Sequence, residues 1–201
     1  MSLGKNIAVV VCDLETGGTD PERHQIFEIG ARVLYEDGIV DISGEALRST
    51  SMRCPFYRTA KRSIGAARVN GIWSSTRAET HKDEKLMLVD FAEWLGIEKT
   101  IIIAGINPHF DLGFLLKRGE INDLELGAMF SHRVFDLHSL ALLQSLANQG
   151  EINLTSSEIY AAFGEEPEAK PHNAEEGTRR EFELFTRLIM GATKANPVQS
   201  T

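Results

Sequence analysis

The chain has 201 residues, 42% hydrophobic and 25% charged, proportions that suit one soluble globular domain with a core large enough to need no staples. No apolar run is long enough to span a bilayer, Met1 to Asn6 is too short and polar for a secretory signal, and Cys12 and Cys54 make neither a disulfide framework nor a zinc spacing. The expectation is a reducing, cytoplasmic compartment with no membrane partner. A net charge of −8 argues against a nucleic-acid partner held by basic groups alone.

The first element is Ile7 to Cys12, a continuous apolar run that predicts a central strand buried on both faces. Ile26 to Tyr35 reads as a second strand, and Asp37-Gly38 as a two-residue hairpin turn into a third, Ile39 to Ile42. Gly44 to Ser63 reads as irregular, with a short helix after it over Ile64 to Val69. The basic residues gather here: Arg48, Arg53, Arg58, Lys61, Arg62 and Arg68 succeed one another with no acid between them, and Phe56 and Tyr57 lie inside the stretch. Such a segment either binds phosphates or is a solvated face.

Asp83 to Leu95 has helical spacing and a closing Gly96. Thr100 to Ala104 predicts another buried strand. Asn107-Pro108 reads as N-cap and first residue of a helix to about Arg118, with Gly119 past its end. Val134 to Asp136 predicts a third short buried strand, and His138 to Asn148 a helix. Thr155 and Glu158 form a capping box. The last helix is expected from near His172 to Met190, stopped by Gly191. This predicts a single domain over residues 5–191 and a flexible tail over 192–201. A hairpin-rich start followed by strand–helix alternation means a mixed sheet with helices on its faces, the later strands parallel to the first.

Asp13 and Glu15 follow the first strand in alternation, so both carboxylates aim at one face. A charged pair at the end of a central strand is costly unless neutralised. A hard divalent cation would neutralise it, and so would solvation where the strand emerges. Asp111 in the first turn of its helix suits the helix dipole, yet the parallel strands would bring it to the edge that carries Asp13 and Glu15. His172 enters the last helix and could serve as a base beside a metal-bound water.

These residues carry a resemblance. Asp13-Leu14-Glu15-Thr16-Gly17, then Asp20-Pro21-Glu22-Arg23 and Ile26-Phe27-Glu28-Ile29-Gly30-Ala31, resembles the first motif of the DEDDh 3′–5′ exonucleases. Asn107, Phe110-Asp111 and Gly113-Phe114-Leu115 resemble the second motif, His172-x-Ala174 the start of the third, and Ala67 to Ile72 the stretch between the first two. The family includes the proofreading subunit of bacterial replicative polymerases, ribonuclease T and oligoribonuclease. The resemblance implies a ribonuclease-H-like α/β fold, a mixed five-stranded sheet flanked by helices. It also implies hydrolysis of phosphodiesters at 3′ ends of single-stranded DNA or RNA with two Mg²⁺ or Mn²⁺ ions about 3.5–4 Å apart. Asp13 would bridge both ions. Glu15 would bind the ion carrying the nucleophilic water and approach the terminal 3′-hydroxyl. Asp111 would support the second ion, and His172 would take the proton from water. Leu14, Thr16, Asn107 and Phe110 would hold the terminal nucleotide, with Arg58 and Lys61 helping to bind the strand. A polymerase partner, or self-association, stays open.

One position departs from the family pattern. The third motif ends in aspartate five residues after its histidine, and that position is Gly177. Glycine inside a helix costs about 1 kcal/mol relative to alanine. Three explanations present themselves: close helix packing, replacement of the lost metal ligand by Glu176, or an inactive variant. Glu176 is the favoured one, although neighbouring helical residues point about 100° apart. The alternative function is an impaired exonuclease fold that serves as a nucleic-acid-binding or regulatory module.

Overall fold

The computed structural model describes residues 6–40, 45–56, 63–70, 78–147, 155–162 and 172–195. At its centre lies β1 (Ile7–Thr16), whose Ile and Val side chains suit a pleated, doubly covered strand. It pairs antiparallel with β2 (Ile26–Glu36) on one side, with Asp13 opposite Gly30 and Glu15 opposite Glu28. On the other side it pairs parallel with β5 (Thr100–Gly105). The hairpin from β2 turns at Asp37 (φ 51°) and Gly38 (φ 98°) into β3 (Ile39–Val40). Both turn residues take the left-handed conformation that keeps the turn in step with strand twist.

The sheet follows the path β3-β2-β1-β5-β6, with β6 at Phe135–Asp136. A sixth strand, β4 (Ser49–Arg53), pairs with Glu28 to Arg32 of β2 and shares its outer edge with β3. Among the described residues the expected five strands are therefore six, and part of the stretch read as irregular is strand. Ser49, Thr50 and Ser51 give that edge strand no apolar alternation. Nor is the third buried strand buried throughout, since Phe135 is exposed at the sheet edge.

Helices cover both faces. They are α1 (Ile64–Val69), α2 (Glu84–Leu95), α3 (Pro108–Ile121), α4 (Leu137–Ala147), α5 (Ser156–Ala162) and α6 (Ala174–Ala195). Asp83 caps α2 by accepting from the Leu86 N–H, and Gly96 ends it at φ 92°. The capping box forms as expected, with Thr155 N–H donating to Glu158 Oε2 at 3.2 Å and Glu158 N–H to Thr155 Oγ1 at 3.4 Å. Three helix ends differ from expectation. Asn107 precedes α3 in a left-handed conformation and makes no side-chain cap bond. Gly119 lies within the last turn of α3. Gly191 does not stop α6, which runs on to Ala195, so the first residues of the expected tail are helical. Among the described residues no helix is long and apolar enough to cross a membrane.

Alternation along β1 sorts the core. Ala8, Val10, Cys12 and Leu14 face Met87, Phe91, Phe114 and Leu115 of α2 and α3. Val9 and Val11 face Leu137, Ile159, Phe182 and Phe185 of α4, α5 and α6. Burying each Val, Leu, Ile, Phe or Met among them contributes about 1.5–3 kcal/mol. Asp13 and Glu15 continue the second series, so the period of the strand delivers them to the α6 face.

Candidate active site

Helix α6 lies close on the sheet across three adjacent strands. On β2, a Cβ at Gly30 would overlap the carbonyl oxygen of Ala174. On β1, the Asp13 carboxylate fills the space a side chain at Gly177 would need, with Asp13 Cγ only 2.9 Å from that Cβ position. On β5, a Cβ at Gly105 would lie 2.9 Å from Glu181 Oε2 and 3.3 Å from the Cys12 carbonyl oxygen. Residues 174, 177 and 181 recur at the spacing of one helix face. The glycine in the third motif therefore admits Asp13 against the helix backbone, which is the close packing named among the sequence alternatives.

Asp111 sits in the first turn of α3, buried to 5% exposure, and its Oδ1 accepts the Leu14 N–H at 3.1 Å. Burial pushes its carboxyl well above the usual carboxylate range, and the charge of Asp13 pushes it further. The neighbouring Cys12 thiol is likewise raised by burial first, then by Asp111, Asp13 and Glu181. Acids from β1 and α3 thus repel one another at the carboxyl end of β1. Mutual repulsion of this kind is relieved by a hard divalent cation, to which carboxylate oxygens are the fitting donors. Among the described residues no group of three His, Cys, Asp or Glu side chains is arranged to hold a metal ion. The donor chemistry fits, while Asp13 rests against α6.

Glu15 is buried opposite Glu28, which is itself only 1% exposed and ion-paired to Arg53 at 2.8 Å. That arginine offsets the Glu28 charge, and the sequence places Arg53 only in a basic stretch. Glu176 forks onto Arg179, with Nε–Oε2 2.8 Å and Nη2–Oε1 2.6 Å, and the guanidinium holds its carboxyl below the usual range. Its carboxylate is thus taken up by α6 itself. The His172 N–H donates to the Val69 carbonyl at 3.0 Å, tying the start of α6 to the end of α1.

Among the expected nucleotide-holding residues, Leu14 is buried and Thr16 Oγ1 donates to the Gly18 carbonyl at 2.7 Å. The Thr16 carbonyl accepts Asn70 Nδ2 at 3.0 Å, so α1 is also fastened beside the first motif. Phe110 packs on Phe114 with ring centroids 4.8 Å apart. The Asn107 N–H reaches Asp136 Oδ1 at 3.4 Å. Arg58 and Lys61 lie outside the described residues. Glu181, four residues after Gly177 and on the same helix face, is not singled out by the sequence.

No protein-family model matches the chain. Its sequence is similar to part of the PolC-type DNA polymerase III of Thermotoga petrophila, 27% identical over 201 residues, covering 98% of this chain and 13% of that protein. Its structure is similar to exonuclease I of E. coli. The zinc-bound form of the complex with single-stranded DNA gives a TM-score of 0.68 at 16% identity, covering 96% of this chain and 42% of that one. The complex with a dT13 oligonucleotide gives 0.73 at 16% identity, covering 94% and 42%. The fold is that of the part of exonuclease I that the chain covers. The chain thus spans less than half of the exonuclease I chain and a small part of the PolC-type polymerase. The exonuclease resemblance read from the motifs stands on both comparisons.

Proposed function

We propose that this chain is a 3′–5′ exonuclease that releases nucleotides one at a time from single-stranded nucleic acid. The observation that carries the reading is the pair Asp13 and Asp111, brought together from β1 and α3 at the carboxyl end of the central strand, with Asp111 pushed toward protonation first by burial and then by the charge of Asp13. The single-stranded DNA in the exonuclease I complexes supports the substrate class.

Asp13, Glu15 and Asp111 would hold two magnesium or manganese ions, and Glu176, the further ligand the sequence points to, would have to leave Arg179 to join them. When bound, the ions supply positive charge where the phosphate sits and make water a better nucleophile. The rest falls to side chains of the chain. A ring nitrogen of His172 accepts the proton of the attacking water. The new bond joins that oxygen to phosphorus, and the bond to the 3′-oxygen of the preceding nucleotide breaks. The products are a 5′-mononucleotide and a strand one residue shorter. Glu15 approaches the terminal 3′-hydroxyl. Leu14, Thr16 and Asn107 position the terminal nucleotide, and the half-buried Phe110 offers its ring to the last base, a contact worth about 1–3 kcal/mol. Arg58 and Lys61 hold the strand behind it. The PolC relative supports a polymerase as a further partner.

A second reading, a binding module without turnover, is favoured by one observation: the space of the third-motif side chain is filled by Asp13. Digestion of 3′-labelled and 5′-labelled single strands, DNA beside RNA, with magnesium, manganese or EDTA decides between them. Stepwise loss from the 3′ end that EDTA stops is expected. Cleavage of circular strands, or cleavage indifferent to EDTA, defeats the exonuclease reading. Single-strand binding without any cleavage selects the module.

A further inference from the structure

We propose that Asn70 is a positioning residue for His172, holding the base of the third motif in register with the acids of the first through helix α1. The inference rests on the exonuclease reading above. Helix α1 has six residues, too few to persist in isolation, so its place is set by what it is tied to. At its start the Ser63 N–H donates to the Gly17 carbonyl at 2.7 Å, and Ser63 Oγ accepts the Ala66 N–H at 3.0 Å. At its end Asn70 Nδ2 donates to the Thr16 carbonyl at 3.0 Å, and the Asn70 N–H closes the helix on the Ala66 carbonyl at 3.0 Å. Both ends of α1 therefore rest on the two residues that follow Glu15.

The third motif hangs on the same helix. The carbonyl of Val69, one residue before Asn70, accepts the His172 N–H at 3.0 Å. From the first motif to His172 the path is thus Thr16, Asn70, Val69: a side-chain hydrogen bond, a peptide link and a main-chain hydrogen bond. On its other side His172 adjoins Asn173, whose Oδ1 accepts the Glu176 N–H and whose carbonyl accepts the Gly177 N–H, both at 2.9 Å. The main chain of His172 is held from two directions, by α1 and by the first turn of α6. A general base must lie within hydrogen-bond reach of the water whose proton it takes, and a misplacement of about 1 Å costs about a hundredfold in rate.

Stability does not account for the amide. Asn70 is 6% exposed, and while Nδ2 is used, Oδ1 is buried and accepts no hydrogen bond from the described residues. A buried amide satisfied on one side only serves folding less well than an apolar side chain of the same size. What the amide supplies is direction: a donor aimed at one carbonyl, which fixes the distance between the two motifs.

The test is steady-state digestion of a 3′-labelled single strand by the full chain with manganese, beside the melting temperature in EDTA. Asn70→Leu keeps the size of the side chain and removes the amide. Turnover per folded molecule should fall at least about tenfold with KM held within about twofold, while the melting temperature holds or rises. Asn70→Asp keeps the size and sets an acceptor against the Thr16 carbonyl, and its turnover per folded molecule should fall at least as far. Added to His172→Ala, Asn70→Leu should cost no more than about a further twofold, because the base it positions is gone. Wild-type turnover per folded molecule in either Asn70 variant overturns the inference and leaves the exonuclease reading standing. So does a raised KM at unchanged turnover, which would place Asn70 on the nucleotide, and so does an undiminished loss in the His172→Ala background. Failure of wild type to digest the strand defeats both readings together.

Discussion

Glu84 and Asp111 are both buried acids, 4% and 5% exposed, and their surroundings are opposite. Glu84 at the start of α2 accepts the Ile26 N–H at 2.8 Å and is forked by Arg118, with Nε–Oε1 2.9 Å and Nη2–Oε2 2.6 Å. Its charge is matched, and its lone pairs tie α2 to β2 and α3. Asp111 accepts the Leu14 N–H and faces another acid, Asp13. The first acid is part of the scaffold. The second carries an electrostatic cost that protonation or an added cation relieves. Burial alone therefore does not mark the site; the sign of the neighbouring charge does.

The widest test of this contrast removes the charge on each side. Asp13→Asn should reduce turnover by at least about a hundredfold, read on a 3′-labelled strand, and should raise the metal-free melting temperature by removing repulsion. Glu84→Ala should do the reverse. It strands Arg118 and costs about 3–5 kcal/mol in urea unfolding, with turnover per folded molecule unchanged. A destabilised Asp13→Asn, or an unharmed Glu84→Ala, would erase the distinction.

Much of this arrangement is legible in the sequence because it follows from period. The apolar runs Ile7 to Cys12 and Thr100 to Ala104 mark the buried parallel pair, and alternation places Asp13 and Glu15 on one face. Edge strand β4 is not legible, because its Ser-Thr-Ser run has no apolar beat. The left-handed backbone at Asn107 is hidden because a polar residue before Pro108 predicts an ordinary cap just as well. The missing acid at 177 is plain from spacing, and spacing points to Glu176 beside it. The structure puts that carboxylate on Arg179, since a neighbour in sequence is a neighbour on a helix only after three or four residues.

Acid dependence sharpens the same contrast with a smaller effect. The carboxyl of Asp111 is raised on folding, so the folded chain holds its proton more tightly than the unfolded one. The metal-free stability should therefore fall as pH rises from about 3.9 through the raised value. Glu36 behaves oppositely. Burial alone would raise it, yet hydrogen bonds from Arg48 and Lys99 hold it below its ordinary value. Its contribution is present above about 4.3 and is lost as pH falls through the lowered value. Asp111→Asn should remove the first slope and Glu36→Gln the second, both read from melting temperature against pH in EDTA.

The smallest effect on folding, and the most discriminating on metal, belongs to Gly177. A Cβ there meets the end of the Asp13 side chain while Asp13 Cβ stays 3.5 Å away, so Asp13 can yield by rotation. Gly177→Ala gains about 1 kcal/mol of helix propensity and spends about 0.5–1.5 kcal/mol on moving that rotamer. Its metal-free stability should therefore stay close to that of wild type. Gly177→Asp makes the same displacement and adds a third acid to Asp13 and Asp111. Without metal it should melt below Gly177→Ala, through repulsion. With manganese it should recover that loss and more, as the carboxylates share a cation. The measurement is the manganese-induced shift in melting temperature for wild type, Gly177→Ala and Gly177→Asp. An equal shift in all three would mean that position 177 no longer faces the cation, and the cost stored at Asp111 would need another explanation.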